Sequence, residues 1–177
     1  MIFMGTGMVQ QLDITSSLDI DMLKRAYKAA LWSNDLSTQN GAILLDRYQA
    51  AATSGCNNIP THVGKDQSRL ERPKKYAFTE HAERSAIYHA ARIGMPTKGA
   101  TLYCPWYACA DCARAIISAG IVRVVGHKQM FDRTNDRWSE SVAYGFEMME
   151  EAGVETVLID AKLDVEPIRF HEEIWYP

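Results

Sequence analysis

The sequence predicts an α/β fold, a three-layer α-β-α sandwich, on three observations. Short apolar runs alternate with longer segments of helical period through the second half of the chain, the pattern of a sheet covered by helices. Strand-like runs at 101–104 and 121–125 flank a helical segment at 109–119, a spacing that fits a right-handed parallel crossover. At 177 residues the chain suits one domain that buries a full core without disulfides or a structural metal.

Each element has its own signal. Residues 19–32 place Leu23, Ala26, Tyr27, Ala30 and Leu31 at helical spacing, with Asp19 as the N-cap. The polar stretch SNDLSTQN at 33–40 is turn-like and leads into the strand GAILL at 41–45; DRYQ separates that run from a second strand over 49–55. Residues 56–75 hold Asn, Pro, Gly and charges without either period, and read as a long loop. A helix is expected over 79–93, with Ala82, Ala86, Ala90 and Ile93 on one face and Gly94 at its end. Then come a strand at 101–104, a helix at 109–119 closed by Gly120, a strand at 121–125, a helix at 139–152 closed by Gly153, and a strand at 154–159. This alternation suggests a mostly parallel sheet. The tail from residue 162 carries no assignment, and the first ten residues have neither period nor charge.

Composition excludes some functions. With 19 basic and 22 acidic residues the formal charge is −3, which gives no global reason to expect nucleic acid as a partner. No window approaches 18 apolar residues, so no membrane partner is expected. Four cysteines, with no charged leader before an apolar run, point to a reducing cytoplasm.

The chemistry concentrates in residues 79–120. His81 and Glu83 stand two apart, and Cys109 and Cys112 form a Cys-x-x-Cys pair. One imidazole, two thiols and a nearby carboxylate are what a catalytic zinc needs: three protein ligands, an open position for water, and a base for that water's proton. The cysteines, three apart at a helix N-terminus, turn their sulfurs to one face where the helix dipole favours thiolate. On a regular helix residues two apart point about 200° away from each other, so His81 and Glu83 share a site only if the first turn lies end-on to it. The pairing of His-x-Glu with Cys-x-x-Cys is the known signature of zinc deaminases, with the metal-activated water as nucleophile and the glutamate as proton shuttle. The expected cofactor is therefore one Zn2+ per chain, held by His81, Cys109 and Cys112, with Glu83 catalytic.

A bare Cys-x-x-Cys is also compatible with a redox pair or half a structural zinc site, but Cys104 sits inside a strand pattern and Cys56 lies far upstream. His62, His89, His127 and His171 read as surface or satisfied histidines. Trp106 and Tyr107 are core aromatics or the wall on which a base stacks, and their place just before Cys109 favours the wall. The loop at 56–75 carries Lys65, Arg69, Arg72, Lys74 and Lys75 against Asp66 and Glu71, a net excess of three positive charges. It is either a solvated basic loop or a clamp for a substrate or effector phosphate, for which Arg72, Lys74 and Lys75 are the candidates.

Over roughly residues 26–157 the chain resembles the cytidine and deoxycytidylate deaminase superfamily, and within it the deoxycytidylate (dCMP) deaminases. The resemblance rests on SNDLSTQNGAIL, SGCNNIP, EHAERSAI and TLYCPWYACADCARAIISAGIVRVV. It implies a mixed five-stranded sheet flanked by helices, and the sugar contact falls on Asn57; Ala82, Trp106 and Tyr107 join it as substrate-binding candidates. It further implies conversion of dCMP and water to dUMP and ammonia, assembly into a dimer or hexamer, and regulation by dCTP and dTTP with Mg2+. Three features depart from the family pattern: Ala108 stands where proline usually precedes the first cysteine, Ser85 stands where asparagine is usual, and THVGKDQSRLERP replaces a glycine-rich effector loop. On this view residues 1–18 are an N-terminal extension, 19–160 the zinc-dependent deaminase domain, and 161–177 its C-terminal tail. Alternatives are another free substrate (dCTP, a modified cytidylate, cytidine, guanine), a tRNA or single-stranded DNA base, or a zinc that only braces an assembly.

Overall fold

The structure is a computed structural model, and it describes residues 16–177. Most of the expected N-terminal extension, 1–18, lies outside the described residues. Helix α1 (Ser17–Ala30) opens on Ser16, whose hydroxyl accepts a hydrogen bond from Asp19 N at 3.1 Å. Ser16 is therefore the cap expected at Asp19, because a hydroxyl three residues ahead reaches that amide. Asp19 is instead buried and paired with Arg123 at 2.7 Å.

Strands β1 (Gly41–Leu45) and β2 (Ala52–Cys56) form an antiparallel hairpin. The expected loop at 56–75 contains two one-turn helices, α2 (Gln67–Leu70) and α3 (Lys75–Phe78), too short to leave a helical period in the sequence. Helix α4 (Ala82–Ile93) ends at Gly94, whose φ of 73° is the left-handed conformation glycine adopts freely. Strand β3 (Thr101–Tyr103), helix α5 (Ala110–Ser118) and strand β4 (Arg123–His127) make the expected crossover, since β3 and β4 pair in parallel. A further one-turn helix, α6 (Lys128–Phe131), precedes α7 (Asp136–Glu151), and β5 (Glu155–Ile159) follows. The unassigned tail is a second hairpin, β6 (Ile168–Phe170) and β7 (Glu173–Trp175).

The sheet order is β2-β1-β3-β4-β5. Two of its four pairings are antiparallel, so the sheet is mixed, as the resemblance implies, and not mostly parallel as the alternation suggests. The first of these follows from the short link between β1 and β2, which can only reverse the chain. Successive strand residues feed opposite faces: Ala42, Leu44, Leu102 and Val124 enter one core with α4, α5 and α7. Ile43, Leu45, Tyr103 and Val125 enter the other with α1, Ile168 and Phe170. This gives the three layers. Among the described residues no helix is long and apolar enough to cross a membrane.

Two close approaches set the position of the functional elements. A Cβ on Gly55 would come within 2.3 Å of Ala82 O, so glycine lets β2 lie directly under the start of α4. A Cβ on Gly145 would come within 2.6 Å of Ala108 O, so α7 rests on the backbone that leads into α5.

Candidate active site

The N-termini of α4 and α5 meet at one point. His81 is the N-cap of α4, in an extended conformation (φ −76°, ψ 153°), while Glu83 lies inside the first turn. This answers the 200° problem: His81 is outside the helix, so its ring and the Glu83 carboxylate are not bound by helical spacing. Cys109 is the N-cap of α5 and Cys112 lies in its first turn. His81 Nδ1 is 3.5 Å from Cys109 Sγ and 3.5 Å from Cys112 Sγ, and all three ligand atoms lie within 4.8 Å of one another.

This donor set fits zinc. At normal Zn–N and Zn–S bond lengths a tetrahedral ion holds nitrogen and sulfur ligands about 3.5 Å apart, the spacing found here. Among the described residues this cluster has three members, which suits a site with an open position. Cys104 is not a fourth: its buried thiol is 3.2 Å from Asn40 Nδ2 and donates to Trp106 O at 3.0 Å. The Cys109 thiol is pulled down to about 4, first by the Cys112 thiol beside it and then by His81, while that same contact and burial push the Cys112 thiol up. Thiolate is the form that zinc binds. Arg84 feels both sulfurs and is held by Glu80, which places a positive charge beside the two cysteines.

Glu83 is 2% exposed, and its Oε2 has no hydrogen-bond partner. Burial pushes its carboxyl up from the ordinary glutamate value, with His81 pulling the other way. A carboxylate so placed is suited to hold and release a proton.

Above this floor opens a cleft of about 680 Å3, counting the space at its mouth. One wall is aromatic: the Trp138 ring lies 5.5 Å from His81 and 5.9 Å from Trp106, edge to face with the latter. Tyr107 also lines the cleft but is buried and stacked on Phe146 at 4.2 Å. Asn57 lines it too, with Nδ2 donating to Thr38 O at 3.1 Å. Ala82 is fully buried beneath, in the core.

The three basic candidates separate. Arg72 lines the cleft. Lys75 also lines it but is buried, with Nζ donating to both Asp35 oxygens at 2.8 and 2.9 Å and to Ser37 Oγ at 2.7 Å. Lys74 is exposed on the loop, 3.5 Å from Ser68 Oγ, and is not among the residues of the cleft wall. The buried pair has a testable weight. Removing one partner of such a pair costs about 3–5 kcal/mol, so Asp35→Ala is expected to lower stability by that order in urea unfolding, and Lys75→Met in the same chain to recover most of it.

Several cleft residues were not singled out by sequence reasoning. Arg137 and Trp138 come from DRTNDRW, where a cation beside a tryptophan just ahead of an amphipathic segment was the available signal. Tyr76 and Asp35 had none. His171, read as surface or satisfied, lines the cleft, its ring edge-on to Trp106 at 5.4 Å. His127 is the satisfied case, between Tyr27 Oη at 2.6 Å and Ala161 O at 2.9 Å.

Comparison with known proteins agrees with this geometry. Residues 16–128 match the family model described as the cytidine and deoxycytidylate deaminase zinc-binding region. The uncharacterized deaminase in the luxG 3′ region of Aliivibrio fischeri is 35% identical over 124 residues, 70% of this chain and 81% of that one. The deoxycytidylate deaminase of Enterobacteria phage T4 is 34% identical over 82 residues, 46% of this chain and 38% of its own. That of Pongo abelii is 30% identical over 106 residues, 56% of this chain and 58% of its own. The chain therefore spans no more than about three fifths of these two named enzymes. In fold, it is similar to the dCMP deaminase of cyanophage S-TIM5 in complex with dCMP and dUMP (TM-score 0.65, 21% identity, 82% of this chain and 99% of that one). With its His/Cys/Cys cluster and the matched zinc-binding region, the chain belongs to the cytidine and deoxycytidylate deaminase family and is a zinc-dependent hydrolase of that type.

Proposed function

We propose that the protein hydrolyses the amino group of a free cytosine deoxynucleotide, converting dCMP and water to dUMP and ammonia. The observation that carries this reading is Glu83, a carboxylate buried on the floor of the cleft beside the three ligands with its Oε2 lacking a hydrogen-bond partner. The chemistry a zinc ion supplies when bound there is to bring the pKa of a water toward neutrality. Glu83 takes a proton from that water and passes it to ring N3 as the oxygen adds to C4. It then moves the second water proton to the exocyclic nitrogen, and the C4–N bond breaks with loss of ammonia. Burial, which raises the Glu83 pKa, suits the side chain to holding the proton between the two transfers.

The rest of the cleft supports a nucleotide over a bare base. Trp106 and Trp138 offer aromatic faces and edges beside His81, where a pyrimidine with its C4 toward the metal would lie. Asn57, on the same wall, is the group proposed to meet the sugar. At the mouth, Arg72 and Arg137 are the groups for the 5′ phosphate, while Asp35 already compensates Lys75. Relatives of 30% and 34% identity are named deoxycytidylate deaminases, and a neighbour in fold is described with dCMP and dUMP. A substrate panel on zinc-loaded enzyme tests the reading. The highest kcat/KM is expected with dCMP, against deoxycytidine, cytidine, dCTP and guanine. Turnover of cytidine with none of dCMP would overturn the nucleotide reading.

A further inference from the structure

Two arginines converge on one neutral oxygen at the mouth of the cleft. Arg72 Nε donates to Tyr76 Oη at 3.1 Å, and Arg137 donates to the same oxygen at 2.9 Å. Like charges drawn to a single phenol repel each other, an arrangement that an anion between them would relieve. The Tyr76 ring is 6.2 Å from Trp138, which in turn is 5.5 Å from His81. The pair therefore stands one tryptophan away from the metal ligands. Among the described residues one carboxylate answers it: Glu172 Oε1 accepts from Arg72 at 2.7 Å, and no carboxylate is within ion-pairing distance of Arg137.

The backbone that carries Glu172 is fixed, while its side chain is 62% exposed and reaches Arg72. It lies with His171 in the two-residue turn of the β6–β7 hairpin, where Phe170 faces Glu173. Both turn residues have left-handed backbone, φ 53° and 73°, a conformation for which Asn-Gly is the usual choice. Such strain persists where surrounding contacts fix it. The contacts are Glu172 N to Ser37 O at 2.7 Å, Gln39 N to Arg169 O at 2.8 Å, and Arg169 N to Gln39 Oε1 at 2.8 Å. Arg72 lowers the Glu172 carboxyl below its ordinary value, and Lys75 and Arg137 act in the same direction, so this one carboxylate sits in the field of every cation at the mouth. Arg137 and Glu172 both lie beyond residues 16–128, the segment that matches the family.

We propose that Glu172 is an internal counter-ion that limits how many phosphates the cleft accepts, favouring a cytosine nucleoside monophosphate over a triphosphate. It neutralises part of the Arg72–Arg137 pair, which leaves enough positive charge for one phosphate group, and it repels a longer chain. This rests on the reading of the cleft as a cytosine nucleotide site.

The test is a charge series. Zinc-loaded wild type and Glu172→Gln are compared on deoxycytidine, dCMP and dCTP. Removing the carboxylate is expected to raise kcat/KM by a factor that grows with substrate charge, about 3-fold for dCMP and about 10-fold for dCTP, and least for deoxycytidine. The gain should shrink as salt is added. A merely structural role for Glu172 would change all three substrates alike, and that result, or a loss that grows with charge, overturns the proposal. Glu172→Gly removes the same charge and relieves the left-handed backbone, so it serves if the glutamine variant does not fold. If wild type acts on none of the three substrates, the substrate reading fails by itself. Calorimetric binding of inorganic phosphate and tripolyphosphate to the zinc-loaded protein then decides the role of Glu172: tightening that is larger for tripolyphosphate in Glu172→Gln supports it, and equal or weaker binding overturns it.

Discussion

Glu83→Ala is expected to lower kcat by at least about 10²-fold while the protein keeps its zinc, because a general acid and base contributes on the order of 10²–10⁴ and the side chain is not a metal ligand. Geometry is what makes this effect large. Glu83 is 2% exposed and its Oε2 has no hydrogen-bond partner among the described residues, so no neighbouring side chain stands ready to replace its proton transfers. Glu83→Gln, which keeps the shape and loses the base, should fall by a similar factor. Steady-state kinetics with metal content measured on the same sample separates a lost shuttle from a lost ion. Near-normal turnover in either variant would mean that another group moves the protons.

Loss of a ligand should act on the metal first and on activity through it. Cys112→Ala removes one of three donors, and the affinity for zinc is expected to drop by more than about 100-fold, since disturbing only the outer partners of a ligand already costs 10–100-fold. Treatment of wild type with a chelator should likewise abolish turnover, and added zinc should restore it. Stability is linked to the same event: each tenfold of free zinc above its Kd adds about 1.4 kcal/mol, so Tm should climb with zinc in wild type at concentrations that leave Cys112→Ala unchanged. A variant that retains zinc at full affinity would show that the three-ligand assignment is wrong.

The cluster on the floor of the cleft was legible because its residues are local in sequence. His81 with Glu83, and Cys109 with Cys112, are each within one turn of chain, and the apolar periods around them mark the helices that carry them. The mouth was not. Asp35, Tyr76, Arg137 and His171 come from four separate segments and meet only through tertiary packing. Lys75 reads as one more charge in a basic loop, yet it is turned inward to Asp35, a fact of packing that no composition reveals. The C-terminal hairpin was invisible for a related reason: its strands are three residues each and its turn lacks the glycine that marks such turns. Asp19 shows the opposite error, a good cap residue whose carboxylate went to Arg123 while Ser16 capped the helix.

His81 and Cys109 occupy the N-caps of α4 and α5, and neither side chain makes a capping hydrogen bond to its helix. Serine or aspartate at such positions usually stabilises a protein by about 1 kcal/mol, so an engineer seeking heat resistance would be drawn to these two places. At both, that gain would remove a proposed zinc ligand, so hardening this scaffold is better sought at other residues.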